Sequence, residues 1–374
     1  MARMATEGSS GLRREVREFV REQVAGGAVL NCDSWLTGFS PAFSRAQGQR
    51  GWLGMTWPKK YGGHGRSQLD RFVVNEELLA AGAPVAAHWI ADRQSGPAIL
   101  SHGTEEQRAR FLPLIAGGTS FFSIGMSEPN SGSDLASITS RAVRVDGGWR
   151  VQGTKVWTSH AHQSHFMIAL FRTSPKQEMA RHAGLTQFIV DLSVPGVQIN
   201  PIRNMQGDHH FNEVVLDDVF LPDASLLGVE GQGWGQVTAE LANERSGAER
   251  FLSTMPLLSE LSKRLRGLPP EQELGRVLAD LLTLRAMSRE VASALERGEN
   301  PAVKAVLVKD LGTRFESSVI DVARRLVPGR PDVRSEDDYE RLLGQAILSA
   351  PGFTLRGGTN EILRGIVAKA VTTA

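Results

Sequence analysis

The chain has 374 residues, long for one core, and at about 150 residues per domain it should fold as two or three. Its 42 Lys plus Arg balance 41 Asp plus Glu, so no net field draws it to nucleic acid or to an anionic membrane. The single cysteine, Cys32, excludes an internal disulfide and suits a reducing, cytoplasmic setting, and no apolar run approaches a membrane span or a signal-peptide core.

In GLRREVREFVREQV, Leu12, Val16, Phe19, Val20 and Val24 recur at helical spacing with Arg and Glu opposite, which predicts an amphipathic helix. Residues 72–84 (FVVNEELLAAGAP) and 103–118 (GTEEQRARFLPLIAGG) are also predicted helical, the second with Thr104 as N-cap and Gly117 at its end. Residues 1–120 are therefore expected to form a helical domain. The period then changes: RAVRVDGGWRVQG alternates about an Asp-Gly-Gly turn, and HFMIALFR, TQFIVDL and FNEVVLDDVFLP are further short apolar runs. A compact β domain is expected over 121–228. From 229 to 374 helical patterns return, broken by Pro and Gly at GLPPEQE, ERGENPAV and VPGRPDVRSEDD, and four helices there suit an antiparallel bundle. The fold class is α+β, mainly α.

GMSEPNSGSDLAS (125–137) lies just before the hairpin and carries small residues, hydroxyls and two apparently lone carboxylates, Glu128 and Asp134. By composition it is a turn-rich linker, or an exposed connection whose hydroxyls and N–H groups hold a polar ligand. The stretch closely resembles the flavin-loop signature of the acyl-CoA dehydrogenases. Other matches follow in order: GWLGMTWPKKYGG (51–63) resembles the Trp-Pro…Tyr-Gly-Gly element, VQGTKVWTSHA the Gly-x-Lys-x-Trp-x-Thr/Ser segment, and GGTNEILRGIVA the C-terminal motif. The resemblance implies an N-terminal helical domain, a small middle β-barrel domain and a C-terminal four-helix bundle.

It also implies a site. Residues 124–133 would line FAD, with Ile124, Met126 and Ser127 at the isoalloxazine edge and Gly132 and Ser133 near the phosphates or ribityl chain. Trp157 would stack on the ring and Ser159 would bond near N5. On their own, Trp157 and Ser159 would pass for a core tryptophan and a strand-end hydroxyl. Thr359 and Glu361 lie in the loop that in this family reaches the FAD of a neighbouring subunit. Ser133 and Arg245 would touch substrate.

The family's reaction removes the α proton of an acyl-CoA thioester with a carboxylate while the β hydride passes to flavin N5, leaving a trans-2-enoyl thioester. Many members carry that base directly before the Gly-Thr of the C-terminal motif, where this chain has Gly357. Others carry it in a Glu-Arg pair on the first long C-terminal helix, and Glu244-Arg245 matches. The 4,7,3,4 spacing of Val237, Leu241, Ala248, Phe251 and Met255 leaves Glu244 in the gap of an apolar stripe, facing inward, where burial raises a carboxylate's pKa. Alternatively Glu244 pairs with Arg245 or Arg250, and Glu240 is a rival base.

The chain departs from the family at two places. It has neither the Arg-x-x-Phe-Gly…Gln segment that holds FAD across the dimer nor the Gly-Gly-x-Gly turn; GLPPEQELGRVL and residues 327–353 stand there. Such losses resemble actinobacterial members that work as α2β2 heterotetramers on steroid side-chain thioesters, so the expected partners are an electron-transfer flavoprotein and either a second copy or a related subunit. HAHQSH (160–165) lacks a carboxylate or thiolate and reads as site-rim histidines rather than a metal site, and GVEGQGWGQV follows no βαβ unit. Two other readings stay open: a flavin monooxygenase or nitroalkane-type oxidase on the same fold, and a non-catalytic subunit that completes a partner's flavin site.

Overall fold

The computed structural model describes residues 2–176, 179–244, 247–269 and 271–372, the side chains of 2–9 and 240–244 excepted. Seven helices come first: α1 (Ala2–Ala25), α2 (Ser34–Thr37), α3 (Pro41–Gln49), α4 (Gln68–Ala81), α5 (Ala86–Ile90), α6 (Gly96–His102) and α7 (Glu105–Ala116). Eight strands follow: β1 (Phe122–Gly125), β2 (Arg141–Val145), β3 (Gly148–Ser159), β4 (Phe166–Arg172), β5 (Leu185–Asp191), β6 (Val197–Ile202), β7 (Phe211–Pro222) and β8 (Leu226–Leu227). Helices close the chain: α8 (Gly233–Glu244), α9 (Met255–Arg264), α10 (Gln272–Glu296), α11 (Ala302–Leu326), α12 (Asp338–Phe353) and α13 (Asn360–Thr372). The three Pro/Gly interruptions read from the sequence fall between α9 and α10, α10 and α11, and α11 and α12. Among the described residues no helix is long and apolar enough to cross a membrane.

Packing sorts the chain into two units, Met1–Phe43 with Arg66–Ala86 and Ala242–Ala374, and Ser44–Gly65 with Ala87–Leu241. In the first, α1 buries Leu12, Val16, Phe19 and Val20, while Val24 in its last turn is exposed. Across from the apolar stripe Arg13 and Arg17 hold Glu77, and Arg13 and Arg285 hold Glu76, tying α1 and α10 to α4. Ser67 caps α4 and Gly82, at φ 75°, ends it in the left-handed conformation that glycine adopts without strain. The buried face of α11, from Ala305 to Ala323, packs against α10, α12 and α13.

The second unit is built on one mixed sheet in the order β6-β7-β3-β2-β4-β5-β8, with β1 parallel to β4. β2 and β3 form the predicted hairpin, Val145 pairing with Gly148 across the turn. β4 is buried on both sides, because successive strand residues point to opposite faces. Its Met167, Ala169 and Phe171 join Trp149, Phe188 and Val214 in one core, while Ile168 joins Trp57, Ile99, Phe111, Leu112 and Phe122 in another. Thr104 and Gln107 make a reciprocal capping box at the start of α7. β1, β6 and β8 were not predicted from the sequence.

Candidate functional site

The segment 125–137 leaves the sheet from β1 and folds back on itself: Glu128 and Ser131 exchange backbone bonds of 2.8 and 3.0 Å, and the Ser131 hydroxyl donates to the Asp134 carbonyl. Its two carboxylates are not alone. Glu128 is buried, with Lys155 Nζ at 2.8 Å, and its oxygens also accept from Thr139 N, Thr139 Oγ1 and Ser140 N at 2.7, 2.9 and 3.0 Å. Burial works against that charge, but the Lys155 ammonium and the donors of Ser140 and Thr139 outweigh it and hold the carboxyl down to about 2. Burial in turn pushes Lys155 down to about 8 against the pull of Glu128, so the pair is ionised at neutral pH. Asp134 accepts from Arg181 and Ser137, both at 2.5 Å. Each carboxylate of the loop thus has a cationic partner from another segment, buried for Glu128 and exposed for Asp134.

Met126, like Leu135 and Trp234, packs against a small cluster of Ile138, Leu170, Leu185 and Val237, and Ile124 against the second core, so both lie partly inside. Ser127 is half-buried and its carbonyl accepts from Val156 N at 2.9 Å, fastening the loop to β3. Gly132 and Ser133 are exposed, and nothing lies within 4 Å of where a Cβ on Gly132 would sit, which leaves room for close approach of a ligand.

Trp157 is the unusual residue. Between Lys155 and Thr158 the β3–β7 register shifts by a bulge, and Trp157 sits there at φ 60°. A bulky residue in the left-handed region costs of order 1–2 kcal/mol and persists where the surroundings impose it. The bulge turns the indole outward, 59% exposed, its ring edge-on to Phe211 at 5.7 Å. A core tryptophan would be buried; this one offers a flat face. Ser159 follows, half-buried at the strand end.

The HAHQSH histidines separate. His165 Nδ1 accepts from Phe121 N, away from the others. His160 and His162 meet His209 and His210, brought over by the pairing of Ser159 with Phe211. His162 and His209 stack at 3.8 Å, and Asn212 Oδ1 lies 3.1 Å from His162 Nδ1 and 2.7 Å from His209 Nε2. The Asn212 amide donates to Thr158 O at 2.9 Å, so this cluster supports the bulge that carries Trp157. Burial, then His209, keep His162 below the ordinary imidazole value. Among the described residues no group of three or more His, Cys, Asp or Glu is placed to hold a metal. GVEGQGWGQV breaks chain: Gly228 and Gly231 take φ of 80° and 78°, and Gly231 N donates to Thr186 Oγ1 just before α8.

Thr359, Glu361 and Gly357 lie in the first unit. Thr359 is half-buried and its hydroxyl accepts from Ile362 N at 3.4 Å at the start of α13, while Glu361 is exposed, its carboxyl held down by its own N–H and then by Thr359. Gly357 has φ 68°, and a Cβ there would lie 3.1 Å from the Arg250 guanidinium carbon. Glu244 closes α8, but its side chain, that of Glu240 and all of Arg245 lie outside the described residues. Val237 to Met255 is not one helical stripe, contrary to the spacing that put Glu244 on its inward face: Gly247 is extended (ψ 164°), and a 3₁₀ turn at Ala248–Arg250 precedes α9. Ala248 and Phe251 are buried through that turn instead.

Sequence reasoning missed Lys155, His209, His210, Asn212 and, in the first unit, Lys309 and Arg356. Only the Lys-x-Trp spacing hinted at the first, since it sets a cation two residues from the exposed indole.

Helices before and after a mixed sheet, with an exposed aromatic face on a strained bulge beside a loop of hydroxyls and amides, offer a surface for a planar ligand with polar groups. Residues 6–119, 123–219 and 271–372 match, respectively, the N-terminal, middle and C-terminal domains of acyl-CoA dehydrogenase. Acyl-CoA dehydrogenases FadE34 and IpdE1 of Mycobacterium tuberculosis (strain ATCC 25618 / H37Rv) are each 34% identical, over 85% and 84% of this chain. The chain spans 44% of the length of FadE34 and 83% of that of IpdE1. Among solved structures, the Tcur3481-Tcur3483 steroid ACAD is similar over 98% of both chains (TM-score 0.85, 27% identity). The ChsE4-ChsE5 complex from Mycobacterium tuberculosis is similar over 98% of this chain and 97% of that one (TM-score 0.80, 29% identity). The chain belongs to the acyl-CoA dehydrogenase family, a family of FAD-binding flavoproteins.

Proposed function

We propose that the protein desaturates an acyl-CoA thioester at its α,β bond. The observation that carries this reading is Trp157, held outward at φ 60° beside the Ser127–Val156 bond. FAD, when bound, supplies a two-electron acceptor. Trp157 and Ser159 hold it from β3, and Ile124, Met126, Ser127, Gly132 and Ser133 from β1 and the loop after it, while Thr359 and Glu361, at the start of α13, reach the FAD of a neighbouring subunit. Glu244 takes the α proton, and Ser133 and Arg245 contact the thioester. The division near residues 120 and 228 belongs to the same reading, supported by the change to strands at Phe122 and back to helix at Gly233.

The substrate is read as a bulky acyl-CoA of the steroid side-chain kind, the electron acceptor as an electron-transfer flavoprotein, and the assembly as a homo-oligomer or an α2β2 heterotetramer. Support comes from the two structural neighbours, one titled a steroid ACAD and both titled with two differently named components, and from the missing Arg-x-x-Phe-Gly…Gln segment.

The test is the visible flavin spectrum of the purified chain, alone and with a co-expressed related subunit, followed by anaerobic addition of steroid side-chain and fatty acyl-CoAs. Bleaching by a thioester supports the reading; a flavin that no thioester bleaches but air reoxidises rapidly after chemical reduction favours the oxidase. Glu244→Gln is expected to keep FAD and lower turnover by about 10²–10⁴-fold; near-normal turnover would remove Glu244 as base.

A further inference from the structure

Lys309, on α11, is fully buried, and its ammonium is spent on one short loop. Nζ donates to Thr354 O at 3.1 Å, to Gly358 O at 2.8 Å and to Asn360 Oδ1 at 2.6 Å. These oxygens bracket the connection between α12 and α13. One turn along α11, Thr313 Oγ1 accepts from Asn360 Nδ2 at 3.2 Å, which fixes the amide oxygen toward Lys309. The middle of the loop is held separately. Arg356 reaches Asp33, Glu316 Oε2 at 3.0 Å and Ser253 Oγ at 2.8 Å, and lies over the rings of Trp35 and Phe353.

Between these anchors stand Gly357 and Gly358, at φ 68° and 89°. Two successive left-handed glycines have wide backbone freedom, so the direction in which the chain leaves Gly358 is not set locally. The Gly358 carbonyl belongs to the peptide unit that leads into Thr359, and it is the oxygen on Lys309.

We propose that Lys309 is the positioning residue of the 354–360 loop, gathering three of its oxygens on one ammonium and so presenting Thr359 and Glu361 to the flavin. This rests on the reading that those two residues contact FAD. An ammonium has three N–H donors and meets three acceptors; the neutral amine has two, and a lone pair that would face an oxygen. The charged groups around it are the Arg250 and Arg356 guanidiniums, which disfavour the ammonium, and the Asp310, Glu316 and Glu361 carboxylates, which favour it. Asp310 is itself shared with Arg314 and Arg364, and Glu316 with Arg356. Burial first, then Arg250 and Arg356, push Lys309 down to about 7. The clamp is therefore complete below that pH and loses a donor as pH rises through it. Bound flavin, needing the set loop, favours the ammonium and moves the loss upward.

The experiment is FAD affinity by flavin fluorescence on the full chain, with its related subunit if the flavin is shared, from about one pH unit below neutrality to about two above. The wild type is expected to lose roughly tenfold in affinity across that range, and Lys309→Met to bind on the order of ten- to a hundredfold more weakly and without the alkaline loss, the size of one charge-assisted bond. Wild-type affinity that is flat with pH, or a Lys309→Met protein with wild-type affinity and profile, overturns the proposal. The wild-type titration stands even if the variant does not fold. Thr359→Val with Glu361→Gln serves as the control: if that protein keeps full affinity, the loop does not touch FAD and the underlying reading fails. If it weakens while Lys309→Met does not, only the clamp fails.

Discussion

The buried pair beneath the flavin loop offers a sharp energetic test, because its two partners are unequally provided for. Lys155→Met removes the ammonium but leaves Glu128 with three protein donors at 2.7–3.0 Å. Glu128→Gln leaves Lys155, which has no exposed surface, with the Met126 carbonyl at 3.5 Å and the face of Phe171 at 5.3 Å besides the new amide. Losing one partner of a buried pair costs about 3–5 kcal/mol, and the Lys155 variant should fall at or below the lower end because Glu128 keeps its other bonds. The double variant should cost less than the sum of the singles by about 1–3 kcal/mol. Thermal unfolding of the four proteins at neutral pH measures the cycle, and strict additivity would refute the pair as an energetic unit. The pH arm has a definite sign. A carboxyl whose folded pKa of about 2 lies below its ordinary 4.5 contributes fully above 4.5 and loses that contribution as pH falls toward 2. Acid destabilisation in that window should shrink in both single variants.

Two further outcomes follow from the same geometry. Trp157→Ala should leave the flavin-free fold within about 0.5 kcal/mol, since the indole is largely exposed, yet weaken FAD by several-fold to about tenfold, the worth of one aromatic stacking contact; unchanged fluorescence-measured affinity would remove Trp157 from the site. Arg356→Met takes the guanidinium from two buried carboxylates, Asp33 and Glu316, and should cost about 3–5 kcal/mol in thermal unfolding, with Arg356→Lys restoring little because an ammonium cannot reproduce the fork that sets Nη1 on Asp33 and Nη2 on Glu316 and Ser253.

What could be read from the sequence was what a short window contains. Leu12, Val16, Phe19 and Val20 mark α1 because helical spacing is local, and the Thr104 N-cap and the Asp-Gly-Gly turn are complete within a few residues. β6 was missed because the alternation of Val197 and Ile199 with Gln198 and Asn200 stops at Pro201 after four residues, and β1 because four residues cannot display a period. The Glu128–Lys155 pair spans 27 residues and Lys309–Asn360 spans 51, and neither separation has a local signature. The Glu244 stripe shows the opposite failure: a correct spacing was extended past Gly247, where the helix has already ended. Even the resemblance, which named Trp157, carried no sign that its backbone would be left-handed. That conformation arises from the β3–β7 register and the His-Asn cluster fastened to it, both made by chain some 50 residues away. A site assembled this way has its chemistry written locally and its geometry written at a distance, which is why the residues that position the candidate flavin contacts emerged only from the fold.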